Sequence, residues 1–241
     1  MSTTDAARES ARQRNGRFGP QVRSELDPAN AGLGAPETPL PTWDAALAHA
    51  EVLREQGVKV SINEHWMSIE IRGTDGELHD PDDGTPAWRN FYPDGTPKVV
   101  EHYTNGKRHD PADGTPASLG FYPDGTTEWI CHYTNGKYHD PDDGTPALRR
   151  FYPDGTPMTI SHWTNGERHD PSDGTPAVQW FYSDGAPKWG IHYSDGKLHD
   201  PADGTPAVQG FYPDGTPQTI SHYTNGELVS TETFPPPIGE A

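Results

Sequence analysis

The sequence predicts an all-β protein, an elongated antiparallel meander of tandem 30-residue β-hairpin repeats, with one N-terminal capping helix. Two observations support this fold class. Residues 79–228 repeat the pattern HDPxDGTPAxxxFYPDGTPxxxxHYTNGxx five times, and a fixed period of this length is typical of repeat architectures. The chain also has 26 Gly and 26 Pro but only 31% apolar residues, which favours many short strands and turns over one thick core.

Each repeat contains the signals of two strands and the turns that join them. In the first copy, residues 87–92 and 98–103 are rich in aromatic and β-branched residues and are bounded by turn residues. The Pro-Asp-Gly at 93–95 favours a turn, because proline presets φ and glycine accepts a positive φ. The Asn-Gly at 105–106 is a strong hairpin signal. The loop at 80–84 then connects one hairpin to the next.

The two ends of the chain predict disorder. Residues 1–41 are polar and broken by prolines, which indicates a disordered basic, Pro-rich arm. The first 23 residues hold five arginines against only Asp5 and Glu9, so a basic arm precedes an acidic body. Such an arm either folds back on the body or reaches a partner. Residues 229–241 predict a second disordered segment, the tail.

Residues 42–57 predict one amphipathic helix that caps the repeats. Its apolar residues recur at helical spacing, at Trp43, Ala46, Leu47, Ala50 and Leu53. Thr42 is expected at the N-cap, and Gly57 is expected just after the last turn. Residues 58–78 then predict two strands, at 58–62 and 66–72, and a degenerate half-repeat.

Composition and charge exclude several classes of function. The net charge of −18 argues against direct binding of nucleic acid, because phosphates need a basic surface. One cysteine excludes a disulfide framework and a thiolate metal cluster. No apolar run is long enough to span a bilayer, and charges stand where a signal peptide has its apolar core. A cytoplasmic protein without membrane contact is expected.

The repeated histidines and aspartates suggest metal sites, but the pattern favours structure. A calcium loop at 80–84 would need an oxygen ligand at its middle position, which the five copies fill with Asp82, Ala112, Asp142, Ser172 and Ala202. Equivalent histidines lie two strands apart, roughly 10 Å, which is too far for one zinc ion. We therefore expect turn-forming aspartates, histidines that bond neighbouring aspartates, and no metal or cofactor.

No catalytic residue is predicted. The sequence lacks the G-x-S-x-G, P-loop and H-E-x-x-H patterns, and five copies of the same His and Asp suit a structural role better than an asymmetric active site. The positions that vary between copies are the better candidates for binding, because constant positions carry the fold. The candidate binding residues, with core packing as the alternative for the tryptophans, are Trp88, Trp129, Trp180, Trp189, Arg149 and Arg150.

The pattern FYPDGTPxxxxHYTNGK, over residues 66–228, resembles the MORN-variant repeats of bacterial antitoxin-like proteins, from which the inserted HDPxDGTPA segment departs. This resemblance implies a non-catalytic single-layer sheet that binds a protein partner. The segment RQRNGRFGPQVRSE resembles N-terminal tags of small actinobacterial phage and plasmid proteins.

The function expected is a protein–protein interaction scaffold, antitoxin-like or encoded by a phage or mobile element. Two alternatives stay open. One is an acidic DNA mimic, since the repeats hold 22 Asp and Glu against 10 Lys and Arg. The other is a phage virion component.

Overall fold

A computed structural model describes residues 40–237. They belong to two compact units, an N-terminal unit of residues 40–155 and 163–166 and a C-terminal unit of residues 156–162 and 167–237. The arm predicted over residues 1–41 lies outside the described residues except for Leu40 and Pro41, and so does the end of the predicted tail, residues 238–241.

The secondary structure begins with helix α1, Trp43–Glu55, and continues only with strands in the described residues. In chain order the strands are β1 Lys59–Asn63, β2 Ser68–Arg72, β3 Trp88–Phe91, β4 Pro97–Glu101, β5 Tyr103–Thr104, β6 Lys107–Arg108, β7 Ser118–Phe121, β8 Thr127–Cys131, β9 Tyr133–Thr134, β10 Lys137–Tyr138, β11 Leu148–Phe151, β12 Pro157–Ser161, β13 Trp163–Thr164, β14 Glu167–Arg168, β15 Val178–Phe181, β16 Pro187–Ile191, β17 Tyr193–Ser194, β18 Lys197–Leu198, β19 Val208–Phe211, β20 Pro217–Thr224 and β21 Glu227–Thr233. No helix within residues 40–237 is long and apolar enough to cross a membrane.

The predicted meander is confirmed. The 13 longer strands form an antiparallel sheet in which successive hairpins follow chain order, and an N-terminal helix accompanies it. The short strands pair separately, as the side hairpins β5–β6 and β9–β10 of the N-terminal unit and β17–β18 of the C-terminal unit. The first, second and fourth repeats thus add a side hairpin to the two strands that the sequence predicts, whereas in the fifth repeat the corresponding segments continue β20 and β21.

The side hairpin forms because the chain changes its pairing partner beyond the main strand. His102 N–H still donates to the Ala117 carbonyl of the neighbouring strand, at 2.8 Å. The next residue, Tyr103, pairs instead with Arg108 across the Asn-Gly turn. Asn105 and Gly106 both have a positive φ, of 50° and 73°, which agrees with the hairpin turn predicted from this dipeptide.

The side hairpins also connect successive copies. Gly106 N–H donates to the Leu78 carbonyl and Gly136 N–H to the Arg108 carbonyl, each at 2.8 Å, so each turn rests on the preceding copy. In the N-terminal unit the rings of Tyr133, Tyr138 and Trp163 stack in sequence, with centroids 4.4 and 5.2 Å apart. This stacking is part of the aromatic packing that the sequence predicts between copies.

The two faces of the sheet are distinguished by the residues they carry. We call one the helix face, because α1 packs on it. In the N-terminal unit its register partners are Ile69, Arg89, Val100, Leu119, Ile130 and Arg149. In each unit we call the face that carries the repeat position of Trp129 and Trp189 the tryptophan face. The repeated alanine, Ala87 in the first copy, has no exposed surface in any of the five copies, which explains why no larger residue replaces it.

Helix α1 covers the helix face at the first strands. Ala46, Ala50 and Leu53 of the predicted stripe are buried against Ile69, Phe91 and their neighbours. Thr42 occupies the predicted N-cap, but its side chain makes no capping hydrogen bond. The Trp43 N–H donates instead to the carbonyl of Gly95, at 2.9 Å, so a turn of the first repeat supplies an acceptor at the start of the helix.

The predicted tail begins too early. Residues 229–233 belong to β21, which pairs with β20 over Thr219–Thr224. Alternating Val229, Thr231 and Thr233 are β-branched and favour an extended strand, and this signal competes with the polar composition of the segment. Strand β21 is the last of the sheet and is exposed along its whole length.

Candidate functional site

The candidate site in the C-terminal unit is a row of side chains on the tryptophan face. Trp180 of β15 pairs directly with Trp189 of β16, and this pair continues the register from Thr159 to Gly210. Trp180 is 45% exposed, which makes it one of the few large apolar side chains at the surface of residues 40–237. Two predicted binding residues are therefore brought together on adjacent strands.

Trp189 lies flat against the backbone of the following strand. A Cβ built on Gly210 would come within 2.5 Å of Trp189 Cζ3, so only glycine leaves room for the ring in this position. The close approach makes the surface beside Trp180 flat and rigid, because the indole cannot turn toward Gly210 any further. A flat aromatic surface of this kind is typical of protein interfaces.

The N-terminal unit has a matching row, which contains Trp129 and Arg150 as register partners. Trp129 lies over Gly120, where an added Cβ would meet the ring at 2.2 Å, and its Nε1–H donates to the Ser118 hydroxyl at 3.2 Å. The exposed Arg150 forms an ion pair with Glu128, at 3.2 Å. This row therefore combines an aromatic surface with a cation that is already paired.

The other two predicted residues are placed differently. Trp88 lies on the same face but in the neighbouring row, opposite Glu101, and it is half-buried. Arg149 lies on the opposite face, opposite Ile130, and only 8% of it is exposed. Burial lowers the pKa of Arg149, and the nearby Asp143 carboxylate opposes this shift. Arg149 does not share a surface with the tryptophans.

The glycines under the tryptophans were missed as members of the site. They occupy variable positions of the repeat, and each stands opposite a tryptophan in the strand register. Among the five copies, Trp129 and Trp189 are the tryptophans at their repeat position, and each has a cross-strand glycine, Gly120 and Gly210. The joint occurrence of a Trp and a Gly at cross-strand positions is a signal that the sequence contains.

The repeated aspartate and histidine form a hydrogen-bonded pair, as the sequence predicts. Asp110 Oδ2 lies 2.6 Å from His132 Nδ1, while Asp110 Oδ1 accepts the N–H groups of Ala117 and Tyr133 at 2.8 and 2.9 Å. Asp80, Asp170 and Asp200 make the same contacts in their copies. One carboxylate thus holds the loop, the next strand and the histidine together, which is a structural arrangement.

The second histidine column supports the side hairpins. His79 Nδ1 accepts the N–H of Asn105 at 3.1 Å, and His109 accepts that of Asn135 at 3.2 Å. The Nδ1 atom of each of these histidines is therefore already hydrogen-bonded to the turn of the following hairpin.

The loop carboxylates bond to their own turns, in agreement with the prediction. Asp83 Oδ1 accepts the Thr85 N–H and Asp113 Oδ1 accepts the Thr115 N–H, each at 2.9 Å. Within residues 40–237, no group of three or more His, Cys, Asp or Glu side chains is placed to hold a metal ion. The buried Cys131 offers no nucleophile at neutral pH, because burial raises the pKa of its thiol to about 12.

No protein-family model matches the chain, and no curated protein matches it.

Proposed function

We propose that the protein is a non-catalytic repeat scaffold that binds a protein partner through the tryptophan face. The observation that carries this proposal is the paired Trp180 and Trp189, at positions where the copies differ from one another. The constant residues are occupied by turns, strand packing and the Asp–His pairs, so the variable row is the part of the repeat left for recognition. The resemblance to MORN-variant repeats points to the same class of function.

The energetics of interfaces also favour this surface. A large aromatic side chain that is half exposed in the free protein gains apolar burial when a partner covers it. Trp189 is held against Gly210 before binding, so little side-chain entropy is lost there. Thr159 and Thr219, at the two sides of the row, supply hydroxyl groups for the polar rim of an interface.

The test is capture of a partner from a lysate of the natural source with the purified protein as bait. We expect a partner that is bound in a fixed ratio by the wild type and lost with a Trp180→Ala, Trp189→Ala double variant. The matched control is Trp66→Ala, because Trp66 is 68% exposed but lies between β1 and β2, outside the row. Equal loss in the control, or full retention in the double variant, contradicts the proposal.

DNA mimicry is not put forward, because the carboxylates of the repeats do not form one row. In each copy most of them stand in the loop before the first strand, as Asp83 does, or in the turn after it, as Asp94 does. These loops lie at opposite ends of the strand, and their carboxylates bond to their own threonines. A phosphate array needs carboxylates that are ordered along a single face.

A second candidate, a structural component that assembles with copies of itself as in a phage virion, is favoured by β21. Leu228 and Val229 are exposed on this terminal strand, and an uncovered strand at a sheet edge readily pairs with another chain. Light scattering after size exclusion should then show oligomers that Val229→Lys dissociates. A monomer over the whole accessible concentration range contradicts this candidate but does not contradict the proposed binding through the tryptophan face.

A further inference from the structure

The first repeat shows how the helix face is enclosed. There α1 lies between a loop on one side and a turn on the other. His49 Nε2 is 2.9 Å from Asp83 Oδ2 and 3.1 Å from the Thr85 hydroxyl of the loop. At the turn, Gly95 accepts the N–H of Trp43. The loop and the turn are thus the walls of a groove that α1 fills.

The second repeat has the same two walls. The Asp113 and Asp124 carboxylates accept the N–H groups of Thr115 and Thr126 at 2.9 and 3.0 Å, as their equivalents do in the first repeat. The floor between these walls consists of Val100, Leu119, Phe121 and Ile130. We call this part of the helix face, with Asp113 and Asp124 as its walls, the arm groove.

The chain that precedes α1 enters the arm groove. Leu40 packs against the cluster of Val100, Leu119, Phe121 and Ile130, although α1 itself lies over the first strands. Going backward from Trp43 to Leu40, the chain therefore leaves the first repeat and lies over the second. Residues 1–39 are therefore joined to the described chain beside the arm groove.

The charges of the arm and of the groove are complementary. Hydrogen bonds from the backbone and hydroxyl of Thr115 lower the pKa of Asp113, and those from Thr126 lower the pKa of Asp124, so both walls are ionised at neutral pH. The first 23 residues of the chain carry five arginines against two acidic residues. Arginines between two rows of carboxylates are favourably placed.

Next to the floor, the third repeat contains polar atoms that lack partners within the described residues. Arg149 is the register partner of Ile130 on the helix face, and its Nε and Nη2 atoms are buried without a hydrogen-bond partner within the described residues. Buried donors of this kind are costly unless an acceptor reaches them. The carbonyls of a proline-rich chain are acceptors without an equal number of competing N–H groups.

We propose that residues 1–39 dock in the arm groove of the same chain, next to Leu40. The arm is thereby a built-in occupant of the helix face, held by its arginines between the walls and by its carbonyls next to the floor. Within the N-terminal unit, Trp129 and Arg150 lie on the face opposite the arm groove, so the docked arm does not cover them.

Trypsin cleavage of the full chain tests this proposal, because the arm contains Arg12, Arg14 and Arg17. Cleavage follows the undocked population, so we expect these sites to be cut about tenfold more slowly than in a free peptide of residues 1–39. Asp113→Asn with Asp124→Asn keeps the oxygen that accepts the threonine N–H but removes the charge. This double variant should raise the cleavage rate severalfold. Added salt should also raise the cleavage rate of the wild type, because salt screens the attraction between the arginines and the carboxylates. This measurement needs no substitution and so does not depend on whether a variant folds.

The matched control removes two charges outside the groove, with Asp75→Asn and Asp195→Asn. Asp75 accepts the Glu77 N–H in a turn of the same type, and the Asp195 side chain is 88% exposed in a side hairpin. Cleavage as fast as in the free peptide overturns the proposal, as do equal rates in the wall variant and the control. The proposal is also overturned if the protection of the arm from trypsin decreases when the protein is diluted. In that case the groove is occupied by the arm of a second copy.

Discussion

The tyrosine of the Phe-Tyr pair connects one repeat to the following one at Tyr92, Tyr122 and Tyr182. The Tyr122 hydroxyl donates to the Phe151 carbonyl at 2.8 Å, and Tyr182 donates to Phe211 at the same distance. We expect Tyr122→Phe to lower the free energy of unfolding by about 1 kcal/mol, since the ring stays and one hydrogen bond between repeats is lost. Urea denaturation followed by circular dichroism measures this change.

The control for this substitution is Tyr223→Phe. The Tyr223 hydroxyl makes no hydrogen bond to any residue in the 40–237 range, so its removal should change the free energy of unfolding by less than about 0.5 kcal/mol. Equal losses at both positions would show that the carbonyl contact of Tyr122 contributes nothing.

At the scale of single residues, some contacts of the candidate site could be predicted from the sequence and others could not. The pairing of His132 with Asp110 follows from the repeat, because two constant polar residues in a thin sheet need partners. The separation of Arg149 from Arg150 follows from strand alternation once the register is known. The positions of the rings over Gly120 and Gly210 do not follow, since they depend on which residues of different strands are opposite each other.

Among the elements, α1 is joined to the sheet by a narrow apolar stripe. Leu53 is 2% exposed and packs with Ile71 and Ala87, whereas its neighbour Val52 is 46% exposed. Leu53→Ala should cost about 2–5 kcal/mol, because it leaves a cavity between helix and sheet. Val52→Ala serves as the control and should cost less than about 0.5 kcal/mol in the same urea titration. Similar costs for both would contradict the observed orientation of α1.

At the same scale, the sequence predicts helices and turns better than it predicts pairing. The stripe of α1 and the Asn-Gly turns are local patterns, and both are present as expected. The side hairpins depend on a change of partner after His102, and β21 depends on the edge offered by β20. Each segment carries a local signal for a turn or a strand, but its pairing depends on a second segment, which is why local signals do not predict the pairing.

For the whole molecule, the carboxylates of the turns predict a loss of stability in acid. Hydrogen bonds from Thr96 lower the pKa of Asp94, and those from Thr126 lower that of Asp124. Burial alone would raise the pKa of Asp200, but hydrogen bonds from Tyr223, His222 and Ala207 outweigh it and the pKa is lowered. A carboxylate whose pKa is lower in the folded chain stabilises the fold while it is ionised.

The pH window follows from this direction of the shifts. Aspartate in the unfolded chain has a pKa of about 3.9, so the stabilisation is fully present above that pH and is lost as the pH falls through the lower folded values. The urea concentration at the midpoint of unfolding should therefore decrease as the pH falls from about 4 to about 2. Asp94→Asn with Asp124→Asn keeps the acceptor oxygens and removes two of these groups, so its midpoint should depend less steeply on pH. A wild-type midpoint that stays constant or rises over this range would show that the turn carboxylates do not contribute as the hydrogen bonds imply.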